Sequence, residues 1–413
     1  MMTVSSLSIQ AGWRNAHVST RLPRLPLRLP LFRLLGPAFA VSIGYVDPGN
    51  FATDLGAGTF GYRLLWVVGL ANVVAIVLQL AVSDLTLATG EEFGALIARR
   101  WKRYSCVAWL TFQGAAIATD LAEFSGIVLG TQLLFRWSLV ESVAAGLLIV
   151  ASVMLATGKS TKAFEYAMIV ALGAICIACI YQIPFVHPAW HAVVFGALIP
   201  HLPNTQALVM AVGIIGATVM PHNLFLHSAL VRRSMESGGP PTTANRSHRR
   251  FFRSETLVAL NVAAVVNAAI LIVGAAVNSG GSFHHAFAVL QPLGGILGTA
   301  FGGALLLSGI AASLTATVSG DYIFRSLAPL RVTPVVRRAV TILPAAAVIA
   351  AGVSIPGILV WSQVVLALIL PLALVPLVVL LREHWRGALL TALASLLCVT
   401  FDVVMIVQLL HSS

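Results

Sequence analysis

The stretch Ser42-Ile43-Gly44-Tyr45-Val46-Asp47-Pro48-Gly49-Asn50 places an acid, a proline and an amide inside an apolar segment. A second stretch, Met220-Pro221-His222-Asn223, repeats the x-Pro-x-Asn pattern inside another apolar segment. Proline lacks an N–H and clashes with the carbonyl four residues before it. The two stretches therefore predict two broken helices of the same kind.

The composition around these stretches is that of a membrane protein. Of the 413 residues, 58% are hydrophobic and only 9% are charged, and the mean hydropathy is +0.93. A soluble domain carries about 25% charged residues, so this chain could not solvate its surface in water. Apolar stretches of the roughly 20 residues that a helix needs to cross a bilayer recur from Leu34 onward.

Apolar runs, bounded by glycine, proline and charged residues, predict an all-α polytopic membrane protein with eleven spans. The eighth run is too long for one straight span, so it predicts a short lead-in helix. The predicted limits are 34–58, 62–89, 105–135, 138–158, 164–186, 206–231, 254–278, 285–325, 337–353, 356–381 and 387–410.

The charges predict how the chain lies in the inner (plasma) membrane. The formal net charge of +11 comes from Lys and Arg in the short gaps between spans, which is the positive-inside pattern rather than that of a nucleic-acid partner. Only Arg63 and Arg136 fall on the outside. The N-terminus is then cytoplasmic and the C-terminus outside, and the inside loops hold Arg99, Arg100, Lys102, Arg103, Lys159, Lys162, Arg232, Arg233, Arg246, Arg249, Arg250, Arg253, Arg325, Arg331, Arg337, Arg338, Arg382 and Arg386.

The domain prediction is a basic cytoplasmic arm, 1–32, followed by one transmembrane domain, 33–413. The arm has the composition of a transit peptide but no apolar run with a cleavage site, so the alternative of a targeting segment stays open. The polar break from Arg232 to Arg253 predicts a flexible cytoplasmic loop. The pair in Cys176-Ile177-Ala178-Cys179 is interpreted as small packing residues of a membrane helix.

Spans one and six occupy corresponding positions of two sets of five helices. An odd number of spans per repeat reverses the topology, and interrupted helices in matching positions of inverted halves indicate a transporter's binding site. The predicted repeats are 33–186 and 206–381, and 387–410 is an extra helix.

The residue types at the two breaks predict a metal site. Asp47 offers a charge, Asn50 a neutral oxygen and Met220 a thioether, while the prolines free the carbonyls of Gly44 and Ala217. An acid in a membrane helix is a functional candidate by default. Hard cations prefer all-oxygen ligands, so the thioether favours a first-row transition metal.

At these residues the sequence resembles the Nramp family of proton-coupled divalent-metal transporters. The resemblance extends over nearly the whole chain from Gly36, and it implies a LeuT-type inverted five-plus-five repeat with an eleventh helix, working by alternating access. The matching stretches are Gly36-Pro37, Ser42 to Asn50, Ala118-Thr119-Asp120-Leu121-Ala122-Glu123, Met220-Pro221-His222-Asn223-Leu224-Phe225-Leu226-His227-Ser228 and Ser362-Gln363-Val364-Val365.

The resemblance also implies roles for single residues. The substrates would be Mn²⁺ or Fe²⁺ together with H⁺, and no cofactor is expected. The metal ligands would be Asp47, Asn50, Met220 and the carbonyl of Ala217, joined in some conformations by the carbonyl of Gly44 and by Gln363.

The implied proton route runs from Asp47 to Asp120 and Glu123 in span three, with His222 and His227 beside the metal site. The alternative is that Asp120 or Glu123 forms an ion pair with Arg337 or Arg338 in span nine.

The sequence departs from the family pattern in the parts associated with protons and conformational change. Gln113 stands where many members have a glutamate, and Ile310 where a glutamine is common. Asp321 and Arg325 also replace commoner residues. Asp54 is expected to help hold the outer half of span one, whereas Asp84 and Asp402 have no partner identifiable from sequence. The adjacent pair His284-His285 is interpreted as part of a solvated external loop.

Two other function classes compete with this interpretation. One is a transporter of another cation such as Mg²⁺, or an ion-coupled amino-acid transporter on the same fold. The other is a membrane enzyme, which the sequence disfavours because it has neither H-E-x-x-H nor a G-x-x-x-x-G-K-[ST] phosphate loop. The sequence makes no prediction of oligomeric state.

Overall fold

The computed structural model describes residues 36–156, 161–237, 246–328, 332–382 and 387–412. The α-helices in these ranges are α1 Pro37–Ser42, α2 Pro48–Ala57, α3 Leu65–Thr89, α4 Phe93–Arg100, α5 Ser105–Phe135, α6 Leu139–Ala156, α7 Thr161–Gln182, α8 Trp190–Leu198, α9 Thr205–Thr218, α10 Pro221–Ser237, α11 Arg246–Ala276, α12 Phe283–Leu293, α13 Leu297–Leu327, α14 Pro334–Ala350, α15 Ile355–Leu381 and α16 Ala388–Ser412.

Helices occupy all eleven predicted span positions, so the all-α polytopic prediction is confirmed. Within the described part of the chain, seven helical segments are long and apolar enough to cross a membrane. The predicted lead-in helix is α12, which Gly294-Gly295 separates from α13. The predicted N-terminal arm lies outside the described residues.

Spans one and six are both broken, as the prolines predict. Span one is α1, a short 3-10 turn over Ile43–Tyr45, and α2. Span six is α9 and α10, with the chain non-helical at Val219 and Met220. Each break lies just before its proline because Pro48 and Pro221 begin the second helix, where a missing N–H has no cost.

The prediction of a flexible loop from Arg232 to Arg253 is wrong at both ends. Helix α10 continues to Ser237 and α11 already begins at Arg246. Asp84 of α3 forms ion pairs with Arg249 (3.1 Å) and Arg253 (2.6 Å), so charged residues hold the first turns of α11 against α3. The polar composition is therefore that of a helix extending beyond the apolar layer, and Gly238 to Asn245 lie outside the described residues.

Glycines let α5 and α13 cross closely beside the broken spans. A Cβ added to Gly130 of α5 would lie 2.8 Å from the Cα of Leu306 on α13. Another added to Gly309 of α13 would lie 3.0 Å from the backbone nitrogen of Ile127. A Cβ at either glycine would push the two helices apart, so glycine at both positions allows α5 and α13 to pack closely beside the broken spans.

Candidate functional site

Asp47 lies at the first break, at the N-terminal cap of α2. Its Oδ1 accepts a hydrogen bond from the backbone N–H of Asn50 at 2.8 Å, which fixes the direction of the carboxylate. The residue is 1% exposed, and Oδ2 has no hydrogen-bond partner among the described residues. The structure thus holds one buried acidic oxygen with its bonding capacity unused.

Asn50 connects the two breaks. With its amide nitrogen toward Asp47, the side chain donates to Asp47 Oδ1 (2.7 Å) and to the carbonyl oxygen of Ala217 (3.2 Å). Its oxygen then accepts from Nδ2 of Asn267 on α11 at 3.2 Å. In the opposite orientation its nitrogen reaches only Thr218 Oγ1, at 3.4 Å. We adopt the first orientation because every donor then faces an acceptor.

The carbonyls exposed by the first break are satisfied from distant helices. Ser308 of α13 donates to the carbonyl of Val46 at 2.7 Å, and Asn267 donates to the carbonyl of Tyr45 at 2.9 Å. Sequence reasoning missed both supporting roles. A lone serine or asparagine in an apolar helix carries no signal of the carbonyl it faces, so no local pattern could have found them.

Gly44 and Ala217, the two residues whose carbonyls the prolines free, lie beside polar amides. The side chain of Asn223 packs on Gly44, where an added Cβ would be 2.7 Å from Nδ2. Neither amide atom of Asn223 has a hydrogen-bond partner within the described ranges. The carbonyl of Ala217 is the one that faces Asn50.

Gln363 of α15 reaches the same centre from a third direction. Its side chain contacts Gly49 and its backbone carbonyl contacts Gly216. Its Nε2 donates to Ser362 Oγ at 3.1 Å, whereas Oε1 is buried without a partner in the described part of the chain. The glycines on both broken spans leave room for this approach.

Met220 is buried at the second break, 1% exposed and outside either helix. It clusters with Ala115 and Ala118 of α5 and with Leu366 of α15. Of the predicted metal ligands, Asp47 and Ala217 are joined by the side chain of Asn50, and Gln363 contacts α2 at Gly49. Met220 lies three residues after Ala217.

The two predicted histidines differ in their surroundings. His227 Nδ1 lies 2.6 Å from Oε1 of Gln79 on α3, and Gln79 Nε2 donates to the hydroxyl of Tyr45. A buried polar chain thereby leads from His227 to the first break, and sequence reasoning missed the role of Gln79. His222 is also buried, and its Nδ1 has no partner among the residues described.

The predicted acids of span three are paired with Arg338. Its guanidinium donates to Asp120 Oδ1, to Glu123 Oε2 at 3.4 Å and to Ser313 Oγ at 2.5 Å. Arg337 instead donates to the carbonyl of Thr317 at 2.8 Å. Of the two predicted arginines, it is Arg338 that joins the acids, whereas Arg337 is directed toward the backbone of α13.

The other acids and histidines have simpler surroundings. Asp321 pairs with Arg325 one turn later on α13 (2.6 Å), and Asp54 is buried with both oxygens unpartnered among the described residues. His284 and His285 are exposed, but they lie in the first turn of helix α12, so the interpretation of this pair as a loop is wrong. The described part of the chain has no cluster of three or more His, Cys, Asp or Glu side chains arranged to hold a metal.

A family model and curated sequences both relate this chain to one family of transporters. The sequence pattern of the family described as Natural resistance-associated macrophage protein-like (Nramp) matches residues 38–411. The divalent metal cation transporter MntH of Caldanaerobacter subterraneus subsp. tengcongensis is 38% identical over 359 residues, 84% of either chain. That of Aeromonas hydrophila is 37% identical over 87% of this chain and 89% of its own length.

Solved structures agree with the sequence comparison. The crystal structure of a mutant of the Eremococcus coleocola manganese transporter superposes with a TM-score of 0.77 at 28% identity, covering 92% of this chain and 88% of that one. Mhp1, a nucleobase-cation-symport-1 family transporter, superposes with a TM-score of 0.55 at 16% identity, covering 91% of each chain. The latter likeness concerns the fold alone.

Proposed function

The chain belongs to the Nramp family, and we propose that it carries a divalent transition-metal ion, Mn²⁺ or Fe²⁺, into the cell. Transport is by alternating access across the inner membrane, with the N-terminus in the cytoplasm. The ion binds between the two broken spans.

The observation that carries this proposal is the unpaired, buried carboxylate oxygen of Asp47. Its buried Oδ2 has no partner among the described residues, and the Asn50 amide joins its Oδ1 to the Ala217 carbonyl. An ionised carboxylate buried without a partner is strongly destabilising. A dication compensates the charge, and Asn50 presents its oxygen to the ion when its amide turns.

Met220 gives the site its preference among divalent ions. Thioether sulfur binds softer ions, whereas Mg²⁺ and Ca²⁺ favour oxygen ligands alone. The remaining ligands of the proposed set, including Gln363 and the Gly44 carbonyl, all offer oxygen. A hard-cation transporter would gain nothing from sulfur at this position, so a transition metal is preferred to Mg²⁺ as the substrate.

The test is competitive uptake into proteoliposomes across Mn²⁺, Fe²⁺, Cd²⁺, Zn²⁺, Ca²⁺ and Mg²⁺. Replacing Met220 by Ala is expected to lower the preference for Mn²⁺ and Cd²⁺ over Ca²⁺ about tenfold, equivalent to about 1.4 kcal/mol. Met405→Ala is the matched control, because Met405 is equally buried but lies on α16. An unchanged selectivity in Met220→Ala would refute the sulfur argument.

We further propose that metal entry is coupled to protons. The groups that support this are Asp47 itself, the buried chain from His227 to Tyr45, His222, and the Asp120–Glu123–Arg338 cluster. The measurement is uptake under an imposed pH gradient, inside alkaline, with a matched reversed gradient. Uptake that is indifferent to the direction of the gradient contradicts proton coupling while leaving the metal site intact.

A further inference from the structure

Helix α1, the first half of broken span one, is capped by a residue far away in sequence. It has six residues and begins Gly36-Pro37, and its own N-cap offers no side-chain hydrogen bond. The N–H groups of a helix's first turn need acceptors from elsewhere. Glu255 of α11 supplies one, since its Oε1 accepts from Ala38 N at 2.7 Å and from Phe39 N at 3.4 Å.

The contact is closed to solvent and tightly fitted. Glu255 is 0% exposed, and its second oxygen, Oε2, has no partner within the described residues. A Cβ added to Gly36 would lie 2.9 Å from Oε1, so a larger residue at this position would require the carboxylate to shift away from the end of α1. Separation of Glu255 from α1 would leave both the carboxyl oxygen and the N–H groups of the first turn without partners.

The position of α1 makes this contact relevant to transport. The predicted ligands Asp47, Asn50, Ala217, Met220 and Gln363 are 1% exposed or less, so the ion cannot leave unless a neighbouring segment moves. Helix α1 is the short segment that leads through the turn at Ile43–Tyr45 directly to Asp47. Its first turn is held by Glu255, which lies 217 residues after Ala38 in the chain.

Building on the function proposed above, we propose that Glu255 is a positioning residue for transport. It fastens half-helix α1 to α11 while the site is closed. Its release lets α1 move away, which opens the site toward the end of the molecule at which α1 begins.

The test is the reactivity of a buried cysteine on α1 in the full-length protein. Ala40, which is fully buried, is replaced by Cys in a background in which Cys106, Cys176, Cys179 and Cys398 are Ser. The rate of modification by a membrane-impermeant maleimide is measured from each side of the membrane. Glu255→Ala is expected to raise that rate about tenfold or more from the side on which α1 begins, in line with a loss of about 1.4 kcal/mol.

Two further variants make the result specific. Gly36→Ala displaces the same carboxylate from the opposite side of the contact, so it is expected to act in the same direction as Glu255→Ala. Glu141→Ala is the matched control: Glu141 Oε2 accepts from Ser138 N at 2.8 Å beside the start of α6, but this contact is exposed and remote from α1. It is expected to leave the reactivity of the cysteine introduced on α1 unchanged.

The outcome is decided independently of metal uptake. If Glu255→Ala fails to fold, Glu255→Gln replaces it, because the amide oxygen still accepts hydrogen bonds without charge, and a smaller acceleration is expected. Unchanged reactivity in Gly36→Ala and in whichever Glu255 variant folds overturns the proposal. If Glu255→Ala accelerates the reaction but the wild-type protein fails to transport metal, the proposed function is refuted and the role of Glu255 is not.

Discussion

Two buried polar regions of this molecule differ in whether their side-chain oxygens have hydrogen-bond or ion-pair partners. In the cluster of Asp120, Glu123 and Arg338, each carboxylate contacts a guanidinium nitrogen that is itself buried. In the centre between the broken spans, Asp47 Oδ2 and Gln363 Oε1 are buried without a partner in the described residues. In the first region both carboxylates are paired with Arg338, although its Nε has no partner among the described residues, whereas in the second region the acceptor oxygens themselves are unpaired.

The difference separates a region whose carboxylates are paired by the protein from a region whose unpaired oxygens bind the ion in the function proposed above. A buried charge is tolerated when it is paired and hydrogen-bonded, as at Arg338, where the pairing ties α14 to α5 and α13. The unpaired oxygens beside the two helix breaks raise the free energy of the protein, and in the proposed function a bound cation offsets that cost. The charge cluster therefore stabilises the packing of α5, α13 and α14, in addition to the part in proton coupling proposed for it above.

The largest effect is expected from Asp47→Asn, which tests whether the unpaired carboxylate of the centre binds the ion. Removing one partner of a buried charge interaction costs about 3–5 kcal/mol, so Mn²⁺ uptake is expected to fall at least about 100-fold. The unfolding midpoint of the metal-free protein in detergent should not fall, because an uncompensated charge is removed.

The control for this variant is Asp84→Asn, which removes an acid from partly exposed ion pairs with Arg249 and Arg253. It should retain uptake within a few fold. Normal uptake by Asp47→Asn would end the assignment of the centre as a metal site.

The second variant, Arg338→Ala, tests the framework. It leaves Asp120 and Glu123 buried without their cation, so a destabilisation of about 3–5 kcal/mol is expected, measured as a lower unfolding midpoint in detergent. Adding Asp120→Asn and Glu123→Gln to the same chain should restore much of the loss, because the unpaired charges are removed.

Arg325→Ala is the comparison for this variant. Arg325 is 54% exposed and pairs with Asp321, and an exposed pair contributes only about 0–1 kcal/mol. If both arginine variants had equally small effects, the cluster would not be a structural element.

The smallest expected effect comes from a residue that supports the break without binding the ion. Asn267→Ala removes the donor to both the Tyr45 carbonyl and the Asn50 oxygen, and each net hydrogen bond contributes about 0.5–1.5 kcal/mol. The apparent Mn²⁺ affinity in uptake assays is therefore expected to weaken on the order of tenfold. Asn261→Ala on the same helix is the control, since that side chain is exposed and donates to the carbonyl of Leu257; equal effects of the two would contradict a supporting role.

Local patterns predicted the helices well and failed where partners are remote. Hydropathy placed a helix at every predicted span position, seven of them long and apolar enough to cross a membrane within the described residues, and Pro48 and Pro221 located both breaks, because proline acts on the backbone four residues before it. The loop predicted from Arg232 to Arg253 was wrong because the polar residues at both ends continue α10 and begin α11, and the start of α11 pairs with Asp84, a residue of another helix. The choice of Arg338 over Arg337 was equally inaccessible, since adjacent residues differ only in the direction they face.

The sequence by itself determined that this chain spans a membrane, that two of its helices break at prolines, and that an acid, an amide and a thioether stand at the breaks. These properties follow from composition and from chemistry within one turn of helix. Only the tertiary structure decided that Ser308 and Asn267 satisfy the broken backbone, that Glu255 caps α1, and that Asn50 bridges the two breaks. The reason is physical: these partners come from helices distant in sequence, and packing alone brings them within hydrogen-bonding distance.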